Sequence, residues 1–400
     1  MQPLTRSARL LSLFLPFALL ACGDDNPTGT GPANEGIFAR YVSLGNSIAA
    51  GFQSGGINDS VQLVAYPALI AQQMGLSIGT DFVLPLLNRP GCAPPFVNIF
   101  TQERVDMGGP SDCAGRIDNA IPHNVAVPGA KVIDALSNTD SRSNANALTS
   151  LFLGTGTQLS VAQQLRPTFV TVWLGANDAL GAALNGDATL LTPVDLFERD
   201  YLQLADSIEA MGVQGAVLIG VPQVLNIPNL SPGAAYWVAD QMGALPPTLS
   251  VAANCAPTAS GGAGETTLVP FGYGFGVLLA QASQGMAVTL DCLTDPPVVS
   301  TGEIVAIIGA VARYNTIIQR EAARRGWGYL DPNPTLDSLR ATGEVPLFPN
   351  SMGIDALLQP FGPHFSRDGF HPSTSTQRLI ANKIIEVINA TYNQSIPAVP

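Results

Sequence analysis

The sequence predicts an α/β fold built on a mostly parallel sheet. Two apolar runs, Thr168 to Leu174 and Gly215 to Val221, are too continuously apolar for strands with one wet face. Strands of that kind lie in parallel sheets covered by helices on both sides. Between them, Leu196, Phe197, Tyr201, Leu204, Ala205, Ile208 and Met211 recur near the helical period. Strand, helix and strand in that order make a βαβ unit.

The other elements follow from local signals. Arg40 to Leu44 is a short β-prone run, and after Gly45 and Asn46 the residues Ser47 to Ala50 can open a helix, so Ser47 is expected at a strand-to-helix turn. Thr301 is a candidate N-cap with Glu303 behind it. Ile304, Ile307, Ile308, Val311, Tyr314, Ile318 and Ala322 then form an apolar stripe that should face the sheet. Trp327 to Pro332 has the character of a last short strand and its exit. The final helix should start after Pro372, capped by Ser373 or Ser375, and carry Leu379, Ile380, Ile384, Ile385 and Ile388. Residues 225–300 break this rhythm. They are rich in Gly, Ala and Pro, carry Tyr236, Trp237, Tyr273 and Phe275, and are too many for an ordinary connection, so they form a subdomain or a set of active-site loops.

Composition narrows the function classes. The 400 residues are 46% apolar with 40 Gly and 32 Pro, which suits a folded chain with long ordered loops. With 18 Lys plus Arg against 30 Asp plus Glu the net charge is −12, and there is no basic cluster to attract a phosphate backbone. No nucleic-acid partner is expected.

The first residues predict export. Arg6 and Arg9 precede an apolar run from Leu10 to Ala21, the length of a signal-peptide core and short of the roughly 20 residues that span a bilayer. Leu19 to Cys22 resembles a bacterial lipoprotein box, which implies removal of residues 1–21 and lipid attachment to Cys22. Residues 22–36 read as a flexible tether, and residues 37–400 as the folded domain, which includes residues 225–300. The expected location is the bacterial cell envelope, held at the outer membrane or cell surface by the lipid.

Four further cysteines remain: Cys92, Cys113, Cys255 and Cys292. An even number in an oxidising compartment suggests two disulfides, with three pairings open. Proximity in sequence favours Cys92–Cys113 and Cys255–Cys292. No cysteine or histidine spacing suits a structural metal, and the chain has three His in all, so no metal site is expected.

Four separated segments carry the chemistry. They are Tyr41 to Ile48, Asn124 to Ala130, Gly175 to Asp178 and Asp368 to Pro372. In this order they resemble the conserved blocks of the SGNH (GDSL-like) hydrolase family. The resemblance implies a flavodoxin-like three-layer α/β/α sandwich that hydrolyses carboxylic esters without a cofactor. It makes Ser47 the nucleophile, Gly129 a backbone oxyanion donor, Asn177 a side-chain oxyanion donor, and Asp368 and His371 the acid and base. The family's usual Gly-Asp-Ser string departs here, because Asn46 replaces the aspartate.

The residue types make sense by themselves. A serine hydroxyl needs a base within about 3 Å, and neutral imidazole is poised for that role near pH 7. Asp368 can hold the other ring nitrogen of His371, and the N–H groups of Ser47, Gly129 and the Asn177 side chain can meet a developing oxyanion. His364 competes as base but has Phe361 where the acid should stand; His123 reads as a loop or pocket-wall residue, and Asp178 as a turn residue. The expected activity is that of an esterase or lipase, on acyl lipids, aromatic esters or acetylated sugars. A carbohydrate O-deacetylase and a non-catalytic envelope-binding lipoprotein are the alternatives.

Overall fold

Four parallel strands make the central sheet of the computed structural model, which describes residues 36–105 and 114–400. In chain and sheet order they are β1 (Tyr41–Gly45), β2 (Phe169–Trp173), β3 (Gly215–Ile219) and β4 (Gly328–Leu330). A fifth extended segment runs parallel along the free side of β1. There Ser43 N–H donates to His123 O at 3.0 Å, Val125 N–H to Ser43 O at 2.9 Å and Val127 N–H to Gly45 O at 3.1 Å. Counting that segment second along the chain gives the flavodoxin-like order 2-1-3-4-5. The order reverses at β1, and in such sheets ligands bind beyond the carboxyl ends of the strands at the reversal.

Every residue of β1, β2 and β3 is buried, so helices must cover both faces. On one side Tyr66–Gln73 packs on Thr374–Tyr392, with Tyr66 against Trp173 and Tyr392 against Phe169. A second group contains Val194–Ala210 and Thr301–Arg325, which share the stacked Phe197 and Tyr314 rings. The α/β fold with a parallel sheet is therefore as expected from the apolar runs.

Two details of the helices differ from expectation. The long helix is capped by Ser300, whose hydroxyl accepts from Glu303 N–H while the Glu303 carboxylate accepts from Ser300 N–H at 2.8 Å. Thr301 is already helical and its hydroxyl donates to Thr266 O. Ile308 is 46% exposed, because the buried seam runs through Ile307, Val311, Tyr314 and Ile318, and Ala310 and Ile317 complete it. The last helix is capped by Ser373, as one of its two candidates predicted.

Residues 225–300 build a second apolar cluster, with Tyr236, Leu249, Val269, Phe271, Phe275 and Leu290 inside it. Leu230–Pro232 pairs antiparallel with Leu268–Pro270, and Leu249–Val251 pairs parallel with Val288–Leu290. The Cys255–Cys292 disulfide ties this unit across 37 residues. The Cys92–Cys113 pairing involves Cys113, which lies outside the described residues, as do residues 1–21, Cys22 and the tether up to residue 35.

Candidate active site

β1 delivers Ser47 to the sheet's carboxyl end, as the first residue of the short helix Ser47–Ala50. Asn46 is its N-cap: the side-chain oxygen accepts from Ile48 N–H at 3.1 Å. A neutral amide supplies what this turn needs, so the departure from the usual aspartate leaves the local structure intact. Gly45 is required sterically, since a Cβ there would stand 2.6 Å from Ala49 Cβ and 3.2 Å from Trp173 O. Buried Gln158 brackets Gly45 by accepting from its N–H and donating to its carbonyl, both at 2.9 Å. Gln377, also buried, donates to Ile48 O at 3.1 Å. Neither glutamine stood out in the sequence.

The loop before the last helix brings the base to this serine. His371 Nε2 lies 2.8 Å from Ser47 Oγ, and His371 Nδ1 lies 2.8 Å from Asp368 Oδ2. Asp368 is buried and accepts from every side. Oδ2 takes Gly55 N–H at 2.6 Å, while Oδ1 takes the N–H groups of Phe370 and His371, each at 2.9 Å, and the Ser366 hydroxyl at 3.1 Å. Burial alone would raise its pKa. The neighbouring His371 and these hydrogen bonds outweigh burial and hold the carboxyl at about 2, so it stays ionised. The Phe52 ring packs 5.0 Å from the imidazole. Asn229 ties the insertion to this loop, donating from its side chain to Asp368 O at 2.8 Å and from its backbone to Gly369 O at 3.2 Å.

Asn177 begins the helix Asn177–Asn185 after β2. One hydrogen of its amide goes to Ala130 O at 3.0 Å, which leaves the other to face the cavity it shares with Ser47 and His371. The Ser47 N–H belongs to a first helical turn and has no partner inside the helix. Gly129 occupies the turn before Ala130 with φ +85°, and its N–H meets no acceptor among the described residues. It is set by that turn beside Asn177's partner and does not itself line the small cavity.

Asp178 does more than terminate a turn. It is buried, and its carboxylate accepts from Val132 N–H at 3.1 Å and from the Thr192 hydroxyl at 2.8 Å. The turn-residue expectation is thus corrected: this side chain joins the Asn177 helix to the segment after Gly129. Burial pushes its pKa up to about 6. His364 is turned elsewhere, with Nε2 2.9 Å from Glu344 and Nδ1 3.1 Å from Thr376 Oγ1. His123 Nδ1 accepts from Val83 N–H at 3.2 Å, and burial lowers its pKa, as suits a neutral structural ring.

Two cavities meet at His371. The small one, about 50 Å³, is lined by Ser47, Asn177 and apolar side chains. The large one, about 730 Å³, is walled by Phe52, Phe96, Phe100, Phe271 and Phe275 and reaches both Asp368 and His371. Among the described residues there is no cluster of three or more His, Cys, Asp or Glu that could hold a metal ion. A polarised serine, a proton-accepting imidazole and donors around one small cavity form a site suited to acyl transfer.

The model of the GDSL-like lipase/acylhydrolase family matches residues 41–256. The chain belongs to this family. The matched span holds Ser47, Gly129 and Asn177 and ends inside the insertion, ahead of Asp368 and His371. Membership makes the protein a hydrolase. Similar solved structures include an alpha/beta hydrolase from the metagenome of Lake Arreo, Spain, at 13% identity and TM-score 0.39, covering 88% of this chain and 94% of that one. An extracellular lipase from Streptomyces rimosus is 14% identical with TM-score 0.36, covering 88% and 99%. An acetyl-xylooligosaccharide esterase from Geobacillus is 10% identical with TM-score 0.36, covering 87% and 93%. No curated protein matches the chain.

Proposed function

We propose that this GDSL-like hydrolase cleaves carboxylic esters, as an esterase or lipase, through an acyl-enzyme on Ser47. The observation that carries the reading is the continuous relay from Ser47 Oγ through His371 to ionised Asp368, each step 2.8 Å long. In the first half-reaction His371 takes the serine proton as Ser47 attacks the carbonyl, then gives it to the departing alkoxide. In the second half-reaction water, deprotonated by the same imidazole, releases the acid. Asn177 and the backbone N–H groups of Ser47 and Gly129 receive the oxyanion in both. Asp368 fixes the imidazole tautomer and stabilises the imidazolium. No step calls for a metal or organic cofactor.

A fluorophosphonate probe tests this reading directly. It should label folded wild-type protein at Ser47 and leave S47A and H371A unlabelled. Folded wild-type protein that stays unlabelled and hydrolyses no ester would defeat it in favour of a non-catalytic envelope-binding role. A carbohydrate O-deacetylase is supported by the small cavity at Ser47, which suits an acetyl group. Its signature would be acetate release from acetylated sugars outpacing release from simple acetates. The enzyme is further proposed to work at the cell envelope on a Cys22 lipid anchor, a reading supported by the apolar run and cysteine at its N-terminus.

A further inference from the structure

The two halves of an ester must leave Ser47 in different directions, and the cavities divide accordingly. The acyl carbon bonds to Ser47 Oγ with its oxygen toward the oxyanion donors, so its substituent occupies space touched by Ser47 and Asn177. The alcohol oxygen must face His371 Nε2, which protonates it on departure. The small cavity touches Ser47 and Asn177. The large cavity touches His371 and Asp368 but neither Ser47 nor Asn177. Phe370, the residue before His371, lines both, as does His371 itself.

We propose that the enzyme selects esters of short acids with bulky apolar or aromatic alcohols, binding the acyl group in the small cavity and the alcohol in the phenylalanine-walled cleft. This rests on the ester-hydrolase reading above. At about 50 Å³ the acyl cavity accepts a short chain, while about 730 Å³ on the alcohol side accepts a ring system.

Two walls make the division adjustable. Behind the acyl cavity lies a third space of about 120 Å³, almost wholly apolar, which shares Ile48, Pro222, Ile227 and Phe370 with it but does not reach Ser47. Of these four, Ile227 is the aliphatic side chain that lies off the nucleophile helix Ser47–Ala50. Truncating it joins the two spaces and lengthens the acyl chain that fits. On the alcohol side, the helical turns Phe271–Tyr273 and Gly274–Leu279 present Gly272 and Gly276 to the cleft, where an added Cβ meets nothing within 4 Å. The backbone at Gly276 therefore has room for a Cβ, and a larger side chain there narrows the cleft it lines.

The test is a two-way ester matrix on the full mature chain, with kcat/KM measured for 2-naphthyl esters from acetyl to hexadecanoyl and for acetates from ethyl to 2-naphthylethyl. Wild type should fall steeply beyond short acyl chains and rise with alcohol size. I227A should move the acyl optimum to longer chains, and G276L should lower kcat/KM for 2-naphthylethyl acetate about tenfold or more relative to ethyl acetate. Preference for 2-naphthyl hexadecanoate over 2-naphthyl acetate, with ethyl acetate preferred to 2-naphthylethyl acetate, would overturn the division while leaving the ester-hydrolase reading standing. Loss of long-acyl rather than bulky-alcohol turnover in G276L would overturn it equally, by placing the acyl chain in the cleft. Absence of turnover on every ester, with no labelling of Ser47, would remove both readings together.

Discussion

Asp368 Oδ2 accepts two hydrogen bonds at once, from His371 Nδ1 at 2.8 Å and from the backbone N–H of Gly55 at 2.6 Å. Gly55 has φ +65°, and a Cβ there would strike the Phe96 ring at 2.4 Å, so a glycine in a left-handed turn is what lets this donor reach the carboxylate. Asp368 is thereby held from the loop after the Ser47–Ala50 helix as well as from its own loop.

The first prediction follows from that surrounding. In D368N one side-chain position becomes an NH₂ group, yet both positions face donors. An NH₂ toward His371 also confronts Gly55 N–H and forces the imidazole into the tautomer that cannot take the Ser47 proton. An NH₂ on the other side confronts two backbone N–H groups. D368N should therefore lose about 10⁴-fold in kcat. Acid should act through the same group. The folded carboxyl titrates at about 2, below the ordinary value near 3.9, so its stabilisation is complete above about pH 4 and is lost as pH falls through about 2. That loss is on the order of 2 to 3 kcal/mol. Urea titrations of wild type between pH 2 and 5, with kcat for both proteins, check the pair of claims; near-normal kcat in D368N would sink the orienting role.

Oxyanion stabilisation gives the second prediction. N177A removes one donor while the Ser47 and Gly129 N–H groups remain, so kcat should fall about 100-fold to 1000-fold with KM little changed. H364A should keep more than a tenth of wild-type kcat, because that ring is engaged by Glu344 and Thr376. Steady-state kinetics on a soluble acetate separate the two, with circular dichroism to confirm folding. Equal damage from both substitutions would mean that the assignment of roles is wrong.

The buried strands, the strand-to-helix turn at Ser47 and the three-residue spacing of Asp368 and His371 were legible because each is local. Periodicity and turn chemistry act over a few residues and leave a mark in the sequence. Gly55, Gln158, Gln377 and Asn229 were not legible, since each acts through a contact more than 100 residues away whose aim depends on the fold. Asp178 shows the limit most clearly. Its sequence context, after Gly175, Ala176 and Asn177, is that of a turn, and only its burial against Val132 and Thr192 shows a tie between the Asn177 helix and the segment after Gly129.

The third prediction concerns the insertion. Cys255 and Cys292 close a loop of 37 residues, which corresponds to roughly 4 kcal/mol of unfolded-state entropy. C255S/C292S should lower the thermal midpoint and raise KM for bulky-alcohol esters more than for ethyl acetate, since Phe271 and Phe275 sit in the unit that the disulfide braces. Calorimetry and the ester matrix measure these; an unchanged midpoint would show that the apolar cluster alone holds the insertion.

A fourth prediction addresses the N-terminus. C22S, expressed in a bacterium that processes lipoproteins, should leave the detergent-soluble membrane fraction, while the wild-type N-terminal peptide should carry a lipid mass. Unchanged membrane association together with an unlipidated wild-type peptide would rule out the anchor.

The last prediction uses the raised pKa of Asp178. Burial moves this carboxyl up to about 6 in the folded protein against an ordinary value near 3.9 in the unfolded chain. Between those values the folded state binds more protons, so stability falls as pH rises from about 4 to about 6 and is constant beyond. The cost of carrying the buried charge at neutral pH is on the order of 3 kcal/mol. In D178N the side-chain oxygen can still accept from Val132 N–H, and the amide can donate to a Thr192 hydroxyl that reverses its role, so both ties survive without the charge. D178N should match wild type near pH 4, exceed it in stability at pH 7 and lack the downward slope between. It should keep most of its esterase activity because the Asn177 helix remains tied to the segment after Gly129. D178A, which removes both ties, should lose stability at every pH and lower kcat as the oxyanion donors lose their spacing. Urea midpoints at half-unit intervals from pH 4 to 7 for the three proteins, paired with kcat at pH 7, decide the matter. Parallel wild-type and D178N curves would show that Asp178 titrates below this window, and an inactive D178N would show that its charge, and not its position, serves the site.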